Sequence, residues 1–285
     1  MTVLLVRPCS GGEEVALIFS DDPTVAVGII AREIAEGNGE IIWDAMPLSY
    51  QGDINAVVHL LSEKVDTEIY NMSFDLIRRV IDVANKQENF ILNTKFLGKF
   101  PSGNIANLDL AWPSIISLFK CISSSAIADT GGLQSFNGRN FFASTVSNLI
   151  GHTKDISVLS GRKNPFEYSS IDLLKNNNNS TILRLTSPDG SAFSMEFINM
   201  QGRWMPTYIT DNWTNTISRI KRKIEAINPE YINKNKSQLI NLLSILERAL
   251  KQIEIAETQG QFDRSAQGMI IPLMGVLAIL SETKN

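Results

Sequence analysis

Along most of this chain the apolar residues recur at intervals of three and four, the spacing that lines one face of an α-helix. The pattern opens at Asp22-Pro23, a helix-capping residue followed by a proline whose missing N–H is harmless in the first turn. Val25, Ile29, Ile30 and Ile34 mark the apolar side of that helix, and Gly37-Asn38-Gly39 should end it. A turn carrying Ile41, Ile42 and Trp43 leads to Pro47. Two more helices are predicted, one with Ile54, Val57, Val58 and Leu61, and one after Val65-Asp66 with Tyr70, Phe74, Ile77, Val80, Ile81 and Ala84. They form a helical hairpin.

Residues 93–107, rich in Asn, Gly, Ser and Pro, read as a loop. Helical spacing returns over Asp109 to Ser125, fades at Asp129-Thr130-Gly131-Gly132, and reappears weakly from Gly138 to Ile150. Residues 161–179 end in four consecutive asparagines and read as an exposed loop.

The period changes at Thr181-Ile182-Leu183-Arg184-Leu185-Thr186, where a β-prone run is followed by the turn Ser187-Pro188-Asp189-Gly190 and a second run to Met200. Gln201-Gly202 suits another tight turn, with Arg203-Trp204-Met205 as a third strand. Beyond Pro206 three apolar stripes are predicted to make an antiparallel helical bundle. The first is Ile217, Ile220, Ile224 and Ile227, closed by Asn228-Pro229; the second is Leu239, Leu242, Leu243, Leu246, Leu250 and Ile253. The third runs from Phe262 to Leu280, set off by Gly260 and kinked at Pro272. The fold class is therefore α+β, mainly α: a helical N-terminal region, a small antiparallel β-sheet and a C-terminal three-helix bundle. The segments run 1–21, 22–160, 161–206 and 207–285, the last three compatible with one domain.

Composition removes several function classes. With 285 residues, 44% of them apolar, the chain can bury a substantial core. A net charge of −4 with only one dense basic cluster excludes a dedicated nucleic-acid binder. No apolar run reaches the length of a membrane span; the longest, Met269 to Leu280, is broken by Pro272 and Gly275.

Candidate chemistry is sparse. There are two histidines, and His59 has Glu63 one helical turn away, the arrangement of a base and its orienting acid. With His152 they would make a hydrolase site only if the fold brought them together. The structural alternative is a half-buried packing histidine. No Gly-x-Ser-x-Gly motif occurs, and the glycine turns lack the Lys-Ser/Thr of a phosphate cradle, so no cofactor or metal is implied. Cys121 sits among Ile115, Ile116, Leu118, Phe119 and Ile122 and reads as a small buried hydrophobe. Cys9 follows the short apolar stretch Val3 to Val6. That segment fits either a β-hairpin with Val15 to Phe19 or the stub of a lipoprotein signal with Cys9 as the lipidated residue. Arg219, Lys221, Arg222 and Lys223 form the basic cluster, either a solvated helix face or a patch for an anionic partner.

Three stretches carry a resemblance. Trp43-Asp44-Ala45-Met46-Pro47-Leu48-Ser49-Tyr50-Gln51-Gly52-Asp53-Ile54-Asn55, Phe90-Ile91-Leu92 and Gly202-Arg203-Trp204-Met205-Pro206 resemble, in this order, an uncharacterised family of exported bacterial proteins, many with lipoprotein signals. The resemblance implies a place outside the cytoplasm, in the periplasm or cell envelope, and assigns no functional residue. The expected function is a non-catalytic, envelope-associated binding or interaction protein, its partner another envelope protein or a membrane surface. Its contacts would come from the loops at 93–107, 129–140 and 161–179. A hydrolase, or a small-molecule carrier with an apolar pocket between sheet and helices, are the alternatives.

Overall fold

The computed structural model describes residues 20–94, 108–177 and 179–282. The N-terminal hairpin or signal stub with Cys9, and residues 95–107 of the first expected loop, lie outside the described residues. Within them the α+β, mainly helical class holds.

The first helix, α1 (Pro23–Glu36), starts where Asp22 accepts from the N–H groups of Thr24 and Val25, and stops at Gly37. Of its expected stripe, Ile29 is buried and Ile30 and Ile34 pack beside it against Ile41, while Ala26 and Val27 take the burial expected of Val25, which is left 39% exposed. The segment expected as a turn at Ile41–Trp43 is a short helix, α2 (Glu40–Ala45). Burial of Ile41 and Trp43 stabilises this single turn in a way that local propensity does not. Next come α3 (Leu48–Lys64), α4 (Thr67–Lys86), capped by Asp66, and the short α5 (Glu88–Leu92).

Beyond the undescribed segment lie α6 (Leu108–Ser123) and α7 (Thr130–Gln134). The latter corrects the reading of 129–140 as loop: the Asp129 carboxylate caps a helical turn at Gly132 N–H, at 2.8 Å. A continuous helical run follows, made of α8 (Gly138–Phe141), one π-helical turn (Phe142–Val146) and α9 (Ser147–Leu159).

Residues 161–179 are also not simply a loop. They contain β1 (Ser170–Asn176), which pairs antiparallel with β2 (Ser180–Thr186); β3 (Ala192–Met200) and β4 (Arg203–Pro206) complete the sheet in the order β1-β2-β3-β4. β1 carries little apolar alternation because it is an edge strand, fixed by its pairing from Ser170↔Thr186 to Asn176↔Thr181 with a bulge between Leu173 and Lys175. The β3–β4 turn has positive φ at both Gln201 and Gly202, the geometry that joins twisted strands through two residues.

Strand alternation sends neighbouring side chains into different cores. One sheet face, with Leu183, Leu185, Phe197 and Trp204, packs on Ala26 and Val27 of α1. Met205, the residue after Trp204, packs from the other face on Trp43, Met46 and Tyr50. Leu183 is fully buried, and truncating such a leucine to alanine costs about 2–5 kcal/mol.

The C-terminal helices are α10 (Thr207–Glu225), α11 (Pro229–Glu254), α12 (Gln259–Gly268) and α13 (Ile270–Glu282). Of the three expected stripes, the second and third do pack together, α12 and α13 lying on α11, whereas α10 packs on α3 and α11 also packs on α4. Gln87, which is buried, donates to the Ile253, Glu254 and Ala256 carbonyls at the end of α11. The third stripe is broken at Gly268–Met269 rather than kinked at Pro272, which sits in the first turn of α13, where proline fits. Gly260 lies inside α12; the turn that separates it from α11 is Ile255–Thr258.

Candidate functional site

α6 and α9 pack side by side, and between them opens a groove of about 620 Å³. One wall comes from Ser117, Lys120 and Cys121 of α6 with Ser124 and Ser125 of the turn beyond it. The other is Ser144, Thr145, Asn148 and His152, and Ser135, Asn137, Asn140 and Phe141 close one end. The polar residues recur at three and four along both helices, so each wall is a single helical face.

The π turn forms the middle of the second wall. Single π turns inside α-helices cluster at functional sites, because they shift the facing of the side chains that follow. This one is held from behind. The Trp43 ring meets Phe142 with centroids 5.4 Å apart, and the Ser147 hydroxyl accepts from Gly39 N–H at 2.8 Å. Arg139 ties the same run to α2 through Glu40 at 2.7 Å and Asp44 at 3.0 Å, while Gly138 N–H donates to Asn55 Oδ1 at 2.9 Å. The conspicuous Trp43–Asn55 stretch of the sequence is thus the mount of the groove wall.

The groove has a defined polarity. The hydroxyls of Ser124, Ser125, Ser135 and Ser144 each donate to a backbone carbonyl three or four residues back. Their lone pairs are what remains for a ligand, so the serines present acceptors. The amides of Asn137, Asn140 and Asn148 add donors, and no carboxylate is among the described lining residues. Lys120 is paired with Asp82 at 3.6 Å. Cys121 is half-buried rather than wholly buried; its thiol donates to the Thr145 carbonyl at 3.6 Å, and burial pushes its pKa up. A nucleophilic cysteine requires the opposite shift.

The expected site residues are dispersed. His152 lines this groove, whereas Glu63 lines a separate cavity of about 650 Å³ beside Asp66, Glu68 and Lys236. His59 is half-buried on α3, lines neither cavity, and is not hydrogen-bonded to Glu63. Among the described residues no three His, Cys, Asp or Glu side chains come together as a metal site. In the basic cluster, Arg219, Arg222 and Lys223 are exposed, and Lys221 turns back to Asp53 at 3.4 Å. The space between α1 and the sheet is filled by side chains, and the cavity at its edge is lined by Arg32, Glu36, Lys154 and Glu167 as well as apolar groups. No described helix is long and apolar enough to cross a membrane.

The stripes of Ser, Asn and Lys at helical spacing are legible in the sequence, but two polar stripes read as two solvated faces until the helices are seen side by side. The chain matches no protein-family model, no curated protein and no solved structure.

Proposed function

We propose that this protein is a non-catalytic binding protein whose ligand is a neutral polyhydroxylated molecule, such as a saccharide, held in the α6–α9 groove. The observation that carries the reading is the groove's polarity: serine hydroxyls committed as donors to the backbone, asparagine amides among the same lining residues, and no carboxylate in the described lining. Hydroxyl-rich ligands both donate to such acceptors and accept from amides. A cationic ligand would lack a counter-charge here, and Lys120 already has one in Asp82. The thiol held protonated by burial supports binding over covalent catalysis.

Titration with a panel of neutral oligosaccharides, followed by NMR shifts, tests the reading. Saturable binding that Asn148→Ala and Asn140→Ala each weaken by about tenfold, the worth of a lost hydrogen bond plus an unpaired ligand group, supports it. Preference for charged ligands overturns it, as does hydrolytic turnover that His152→Ala abolishes.

An envelope address, with another envelope protein or the membrane surface nearby, is supported by the resemblance of the Trp43–Asn55 and Gly202–Pro206 stretches to exported bacterial proteins and by Cys9. The mass of the protein extracted from native membranes checks it. A lipid adduct on Cys9 supports the address; an unmodified cysteine removes that support.

A further inference from the structure

We infer that this protein associates with a second copy of itself through α13. The inference is independent of the groove. α13 is apolar on every side, with no charged residue between Arg264 and Glu282. Such a helix is ordinarily buried all round. Here one side is: Gly275 faces Leu242 of α11 at ordinary contact distance. The other side is open. Ile270 is 55% exposed, Ile271 83%, Leu273 47%, Met274 60% and Leu277 51%. Positions 270, 274 and 277, spaced by four and three, make a straight seam along the helix.

The area selects the occupant. At about 200 Å² for a fully exposed side chain of this size, the five residues expose roughly 600 Å², at the top of what a monomer tolerates as a single apolar patch. Two copies related by a two-fold axis would cover roughly 1,200 Å² in total, the lower limit of specific, stable interfaces. A two-fold axis lets the seam pair with itself, as an isologous interface requires. A membrane surface suits the helix less well. Interfacial helices set a Lys- and Arg-rich face against the headgroups, and α13 has no such face.

Sedimentation velocity of the full chain across a concentration series is the test, with the double variant Ile271→Glu/Met274→Glu alongside. The expected result is a reversible wild-type dimer whose dissociation constant rises at least about a hundredfold in the variant, since each copy then presents two charges to an apolar seam. Both positions are exposed in the monomer, so the variant should keep the wild-type circular dichroism spectrum. If it does not, Ile271→Ser/Met274→Ser replaces it, with the same expected loss of the dimer. A wild-type protein that stays monomeric at about 100 μM overturns the inference, as does a dimer that a folded variant leaves intact, or a monomer that instead floats with neutral phospholipid vesicles.

Discussion

Trp213 of α10 lies flat against Tyr50 of α3, with ring centroids 4.0 Å apart and planes 6° from parallel. The indole Nε1 of Trp213 donates to Asp53 Oδ2 at 3.0 Å, and Lys221, two turns further along α10, reaches Asp53 Oδ1 at 3.4 Å. One carboxylate, one turn after Tyr50, thereby fixes the rotation of α10 on α3. Tyr50 is buried and its hydroxyl reaches Met200 of the sheet, so this contact joins the C-terminal helices, the sheet and the N-terminal helices in one cluster.

Removing that contact should cost accordingly. Trp213→Ala is expected to lose about 3 kcal/mol, the low end for truncating a packed aromatic because Trp213 is only half-buried. Trp213→Phe keeps a ring for Tyr50 and loses only the hydrogen bond, about 1 kcal/mol. Urea unfolding followed by circular dichroism measures both. An alanine variant within about 1 kcal/mol of wild type would show that α10 is held by other contacts.

Gly138 and Gly28 make an opposed pair. A methyl group at Gly138 would run into the buried Trp43 ring, and Asn55 Oδ1, which accepts from Gly138 N–H, lies 3.0 Å from the same point. Gly138→Ala should cost at least about 2 kcal/mol by overpacking, and should also weaken ligand binding, because Trp43 supports the π turn of the groove wall. At Gly28, inside α1, a methyl group would meet nothing within 4 Å, so Gly28→Ala should stabilise by roughly 0.5–1 kcal/mol through helix propensity alone. Thermal unfolding of the two variants should move in opposite directions; a neutral Gly138→Ala would mean that the Trp43 mount is plastic.

Stability should fall at both ends of the pH range. Burial pushes the Asp66 carboxyl up, but the Ile69 N–H and the Lys236 ammonium outweigh it and hold the pKa below the usual carboxylate value. The unfolded chain then takes up this proton first, so the contribution of Asp66 is present above the unfolded pKa and is lost as pH falls through the folded one. Asp66→Asn keeps an acceptor for the cap of α4 and removes the charge; its urea midpoint should therefore vary less than that of wild type in the acid range. At the alkaline end, burial raises the Tyr50, Tyr70 and Tyr168 phenols, with Asp53 and Asp211 adding to the effect at Tyr50. The folded state keeps protons that the unfolded chain releases, so stability falls as pH passes above about 10. An acid limb that Asp66→Asn leaves unchanged would remove Asp66 from this account.

Local chemistry makes several elements readable in the sequence. Asp22-Pro23, Asp66 and Asn228-Pro229 start helices because their side chains satisfy N–H groups within three residues, a contact that needs nothing from the rest of the fold. Ser187 to Gly190 turns the chain for the same reason, with Gly190 at φ 85°. β1 is not readable in this way, because its register and its place in the sheet come from β2, not from its own alternation. Nor is α2, a short helix stabilised by the burial of Ile41 against α1 and of Trp43 in a cluster with Phe142 and Met205, which are distant in sequence.

The sequence by itself determined the α+β class, the positions of the well-capped helices, the hairpin turns, and the absence of compact catalytic and metal motifs, all of which rest on interactions spanning a few residues. Tertiary structure alone decided that α10 and α11 seek the N-terminal helices, that His152 and Glu63 face different cavities, and that two polar stripes confront each other across one groove. These are relations between surfaces remote along the chain. Helical periodicity states which residues share a face, and only packing states what that face meets.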